Sequence, residues 1–181
     1  MQTSETFWYT MLRVNLDTFA DLPDDARVWI YAFEQEFDQE GEQIIRQGLE
    51  PFMTQWCSHE ASVRGAFEIF FHRFVVVAAH CQEGISGCSM DSLVRNFKSF
   101  RSFHGLDGLK GGILYFRNRE GEIQAVEQLK FRDLLESGAV SPETAIFQTP
   151  LQTLGRLRSG EFEAPFEKSF LARAFTRPAA Q

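Results

Sequence analysis

Residues 63–71 (VRGAFEIFF) and 74–80 (FVVVAAH) decide the fold, because only His72 and Arg73 separate two runs of strand-forming residues. β-branched and aromatic side chains at this density favour extended backbone. The spacing predicts a tight hairpin, although His72-Arg73 lacks the Gly or Asn that usually supplies positive φ there. Upstream, residues 27–33 (RVWIYAF) are nearly all apolar, the pattern of a strand covered on both faces. Between these strands Ile45, Leu49, Phe52, Met53 and Trp56 recur at helical spacing. Pro51 falls inside that pattern and predicts a kink or a break, since its ring meets the carbonyl of Gln47.

Downstream, a Gly- and Ser-containing loop at 83–89 leads into a second amphipathic helix with Met90, Leu93, Val94, Phe97, Phe100 and His104 on one face. Gly111 and Gly112 precede a strand at 113–117, Asn118 to Gly121 form a hairpin turn, and 122–126 returns. A short helix at 131–137 ends with Gly138 as its cap, Ser141-Pro142 opens a turn, and a strand follows at 145–147. A last helical turn is expected within 168–175. This order predicts an α+β fold. We read it as a split βαβ (ferredoxin-like) antiparallel sheet with two main helices on one face, plus an extra C-terminal hairpin strand and short helices. Residues 1–22 read as an N-terminal extension, 23–150 as an α/β core domain and 151–181 as a tail packing on that core.

The chain has 181 residues, enough for one domain with its own core. Its 19 phenylalanines fall mostly in periodic segments and read as core. A net charge of −7 opposes phosphate backbones and anionic bilayers, so nucleic acid and membrane are disfavoured as partners. No apolar run reaches bilayer-spanning length, and the first residues lack the pattern of a secretory leader. Three cysteines without framework spacing suit a reducing compartment, and we expect a cytoplasmic location. No cofactor is implied.

Five stretches resemble a family of small uncharacterised bacterial proteins of Bacteroidetes type, loosely labelled "ABC transporter ATPase". They are 25–31 (DARVWIY), 74–79 (FVVVAA), 86–91 (SGCSMD), 138–147 (GAVSPETAIF) and 169–175 (SFLARAF). The resemblance spans about 22–175; it departs at Phe170, where the family pattern has Trp. It implies a shared fold and carries no assigned activity. The ATPase label fails on the residues: a phosphate loop needs G-x-x-x-x-G-K-[ST]. Gly105, Gly108, Lys110, Gly111 and Gly112 stand in the wrong order, with no hydroxyl after the lysine.

The segment most suited to chemistry is Ser86-Gly87-Cys88-Ser89-Met90-Asp91 at the start of the second helix. Free amides and the positive dipole end at such a place attract anions and lower a thiol pKa. Cys88 is then a candidate nucleophile, and Ser86, Gly87, Cys88, Ser89 and Asp91 a candidate ligand loop, with Arg27 or Arg173 adding positive charge. Against this stands a bland alternative in which a serine caps the helix, Asp91 complements its dipole and Cys88 is buried. Cys–His catalysis would need His72, His80 or His104 as base. The spacing of His80, Cys81 and Cys88 fits no metal pattern. Arg27, Trp29 and Tyr31 alternate on one strand face, as a stacking surface or as packing under a helix with Arg27 paired to Asp25. Arg95, Lys98 and Arg101 mark a cationic face on the second helix.

Two readings of function follow. One is a small anion- or metabolite-binding, or thiol-dependent, domain using the 86–91 loop. The other is a non-enzymatic protein-interaction adaptor in which that loop is purely structural.

Overall fold

In the computed structural model, which describes residues 14–59 and 61–176, the apolar run at 74–79 becomes the middle strand of an antiparallel sheet. Strand β5 (Phe74–His80) lies between β1 (Arg27–Ala32) and β4 (Arg64–Phe70). Every residue of β5 from Phe74 to Ala79 is wholly excluded from solvent, so each face of the sheet must carry its own cover. Because β1 and β4 both run antiparallel to β5, they are parallel to one another. Helix α1 (Gln39–Gln55) makes the crossover between them.

One face is covered by helices, as expected. Ile45 and Leu49 of α1 and Leu93, Phe97 and Phe100 of α2 (Gly87–His104) pack on Val75, Val77 and Ala79. Helix α1 opens on Asp38, whose carboxylate accepts from the Gly41 amide at 2.9 Å. It also runs unbroken through Pro51. That proline is four residues from the helix end, so the missing donor to Gln47 weakens a single turn. The two helices approach through Gly48, where a Cβ would stand 2.6 Å from the Phe100 ring.

The other face is covered by a second sheet, and here the strand order differs from the single-sheet expectation. Strand β6 (Ile113–Arg117) does not join the first sheet. It pairs with β7 (Ile123–Glu127) and β8 (Ala145–Phe147), and β9 (Glu163–Pro165) completes the order β7-β6-β8-β9. Two constraints account for this. The start of β1's outer edge is taken by a later segment, with Val28 N donating to Gln152 O at 2.8 Å and Leu154 N to Ala26 O at 2.9 Å. Strand β6 is also apolar on both faces. Ile113 and Tyr115 meet the first sheet, while Leu114 and Phe116 meet α3 (Gln128–Glu136) and α5 (Phe170–Thr176) through Phe131 and Leu171.

Helix α4 (Leu154–Arg158) adds Leu154 and Leu157 to the core between the sheets, and Phe19 and Leu22 enter it from the N-terminal side. A two-residue pair, β2 (Cys57–Ser58) with β3 (Ala61–Ser62), joins α1 to β4. No helix among the described residues is long and apolar enough to cross a membrane.

The β4–β5 turn is one residue longer than the spacing suggests, since Phe70 pairs with Phe74 across residues 71–73. Phe71 and His72 take φ of 55° and 48°, a left-handed geometry unfavourable for residues with a Cβ. Tertiary contacts hold it there. Phe37 N and Phe33 N donate to the carbonyls of His72 and Arg73, each at 2.9 Å. The Phe71 ring sits edge-on to Phe74 and Phe147 under the Arg117 guanidinium.

Arg117 grips Glu163 through two bonds of 2.7 and 2.8 Å and is only 9% exposed. Removing the carboxylate in Glu163→Ala leaves a buried cation with Gly121 O as its remaining hydrogen-bond acceptor. We expect a loss of about 3 kcal/mol of stability in urea denaturation.

Glu68 ties three pieces together, accepting from Thr18 Oγ1 at 2.7 Å, Ile69 N at 2.9 Å and Arg46 Nη2 at 3.2 Å. Burial pushes its carboxyl pKa up, and these donors outweigh burial, so the net shift is below the ordinary 4.5. A depressed folded pKa contributes stability above the unfolded pKa and loses it as pH falls through the folded value. Denaturation midpoints should therefore decline below about pH 4.5, and Glu68→Gln, less stable at neutral pH, should show a flatter acid limb.

Candidate functional site

The 86–91 loop follows from local chemistry. Gly84 turns the chain at φ 81° after β5, and its amide donates to Cys81 O at 3.0 Å. Ser86 caps α2, its hydroxyl accepting from Ser89 N at 3.2 Å. The loop is then tied to β2. Ser58 Oγ donates to Gly84 O and accepts from Ser86 N, both at 3.0 Å. Ser89 Oγ donates to Cys57 O at 2.9 Å, and Trp56 Nε1 donates to Ser89 O at 3.1 Å. Ser58 and Ser89 are buried as a result. Cys88 and Asp91 face solvent on the first turn, and a Cβ on Gly87 would meet nothing within 4 Å.

His80 Nδ1 lies 3.5 Å from Arg64 Nη2, and no hydrogen bond joins it to Cys88 among the described residues. His72 pairs with Glu42 at 3.2 Å on the hairpin, and His104 is exposed at the far end of α2. No three metal-ligating side chains are gathered among the described residues. Arg173 stands exposed on α5, whose Leu171 and Phe175 pack in the outer core with Phe131. The Cys88 loop belongs to the opposite, helical layer. Arg95, Lys98 and Arg101 are exposed, and among the described residues none is in an ion pair.

Arg27, Trp29 and Tyr31 do share the helical face, and two of them are packing residues. Tyr31 stacks on Phe97 with ring centroids 3.5 Å apart, and burial pushes its phenol pKa up to about 12. Trp29 lies 6.0 Å from Trp56, and the Arg27 guanidinium sits 5.2 Å over the Trp29 ring. The pairing of Arg27 with Asp25 is not formed. Arg27 is exposed and has no carboxylate partner among the described residues.

Beside these side chains lies a feature the sequence does not announce. The register of β1 points the amides and carbonyls of its odd residues at β5, so those of Val28, Ile30 and Ala32 point outward. Thr153 and Gln152 cover this edge opposite Arg27 and Val28, after which the chain diverges. Beyond that point Ile30 N–H and C=O have no partner among the described residues. A cleft of about 260 Å³ opens there, lined by Arg27, Trp29, Ile30, Tyr31, Pro150 and Gln152, among others. Local sequence carries no signal for it, because it depends on where a segment more than a hundred residues later leaves the strand.

Comparison with family models, with curated proteins and with solved structures matches nothing to this chain.

The thiols differ in exposure. Cys57 and Cys88 are exposed, whereas Cys81 is half-buried against the helical core. In the folded protein we expect iodoacetamide to label Cys57 and Cys88 first and Cys81 last. Mass spectrometry of each site reads the order, and equal labelling of all three would contradict the packing of Cys81.

Proposed function

We propose that the protein is a non-enzymatic interaction module that binds an extended polypeptide segment along the outer edge of β1. The observation that carries this reading is the half-covered edge. Gln152 O accepts from Val28 N and Leu154 N donates to Ala26 O along its first part, and an open cleft follows where Ile30 offers a donor and an acceptor. A guest strand gains main-chain hydrogen bonds at such an edge and side-chain specificity from the flanking walls. Exposed edges are otherwise blunted by charge, proline or cover. Here Pro150 stands on the opposite wall of the cleft and Arg27 at its end, while the strand's central edge stays bare.

The 86–91 loop supports the same reading by what its groups are already doing. An anion pocket there would draw on Ser86, Ser89 and the first amides. Instead both hydroxyls and the Ser86 amide are engaged inside the protein. The loop then serves as structure, locking the start of α2 to Trp56 and β2.

Amide hydrogen exchange tests the edge directly. In the isolated protein Ile30 and Ala32 should exchange fast, while Trp29 and Tyr31, bonded to β5, exchange slowly. Addition of a peptide that binds should protect Ile30. Protection of Ile30 without any added partner, or binding that leaves Ile30 unchanged, would overturn the reading.

A further inference from the structure

We infer that the occupant of the β1 edge is a carboxyl-terminal tail, laid antiparallel to β1 with its terminal carboxylate against Arg27. The inference rests on the strand-addition reading above and narrows it to one class of ligand.

The cleft has a closed end and an open end. Thr153 pairs opposite Arg27 and Gln152 opposite Val28, so the line a guest strand would follow is blocked there by the protein's own backbone. An added strand has room only from Trp29 onward, past Ile30. A chain passing through would have to bend away at Gln152, whereas a chain that stops fits. The closed end thus selects a terminus.

Direction and charge then decide which terminus. The 149–153 segment runs antiparallel to β1, and a guest continuing its line in the same sense brings its last residue to the blocked end. A parallel guest would bring its α-amino group instead. The group waiting there is the Arg27 guanidinium. It lies over the Trp29 ring, level with the first free position, and no carboxylate among the described residues neutralises it. A carboxylate forms charge-assisted hydrogen bonds with such a cation, and an ammonium is repelled. Main-chain bonds at Ile30 fix the tail, and Trp29 and Pro150 flank the side chains that follow.

Copies of this chain do not satisfy the same requirement through β1 itself. In a pairing of two β1 strands centred on Ile30, the place opposite Val28 that the partner strand needs is already held by Gln152. The site therefore takes a free tail.

The probe is a pool of random octapeptides displayed with free C-termini and a matched pool displayed with free N-termini, both panned on the full chain. Selected sequences are resynthesised as acids, as C-terminal amides and with an N-methyl group at the amide facing Ile30 C=O. We expect hits from the C-terminal pool. Amidation and Arg27→Gln should each weaken them about tenfold or more, without additivity, and N-methylation should abolish binding with the protein unaltered. Amides binding as well as acids, or hits chiefly from the N-terminal pool, would overturn the carboxylate assignment. Protection of the Ile30 amide by those same peptides would leave strand addition standing. Failure of both pools, or binding insensitive to N-methylation, would overturn the two together.

Discussion

The constraint on which the rest depends is the complete burial of β5 from Phe74 to Ala79. Its side chains alternate between two cores, Phe74, Val76 and Ala78 on one face and Val75, Val77 and Ala79 on the other. A strand of this kind needs a pairing partner on each edge and a cover on each face. β1 and β4 supply the edges, the two long helices one cover and the second sheet the other. Phe74 marks the junction with the second cover, its ring stacked on Phe147 and edge-on to Tyr115 and Phe162. Aromatic side chains bury large areas with few rotatable bonds. That suits them to a sheet-on-sheet interface, where flat faces must meet without voids.

What the residues reveal in advance follows the range of the interaction that fixes each element. β5, the amphipathic stripe of α2, the Asn118 turn and the Gly138 cap are set by neighbours a few positions away, and period and turn chemistry expose them. The length of the β4–β5 turn is not so visible. Phe71 and His72 occupy left-handed backbone only because the β1–α1 connection and the second sheet hold them there. Pro51 is the converse case, since a strong local rule gives way when the proline sits in a last turn already packed by Phe52 and Trp56. The placement of β6 was open for a different reason. Its apolar pattern states that both faces are covered, which a central strand of either sheet satisfies, and only the capture of β1's edge by Gln152 and Leu154 distinguishes them.

The candidate site obeys the same division. A serine cap at the start of α2 was legible in the motif, as was the sharing of one face by Arg27, Trp29 and Tyr31, whereas the motif left open which serine caps and whether Cys88 faces solvent. What the motif omits is that Ser58, nearly thirty residues earlier, bonds on both sides of the loop. That contact ties the segment to β2. Residues 149–152 carry no pattern that speaks of a cleft, because a cleft is made by where two segments part.

Burial of β5 also determines where the protein can interact. A central strand forces edges elsewhere, and the two edges are treated unequally. β4 is anchored on its flank by Glu68, which holds Thr18 and Arg46. β1 is covered only at its start, and the side chain at that limit is an exposed arginine stacked on a tryptophan. An unpaired strand edge in a folded protein invites indiscriminate pairing unless something restricts what can enter. The backbone of Gln152 restricts length at one end, and the charge of Arg27 restricts chemistry there. On the strand-addition reading proposed above, one closed end with a cation beside it turns a liability common to all sheet edges into a selective surface, with groups that the packing of β5 had already placed.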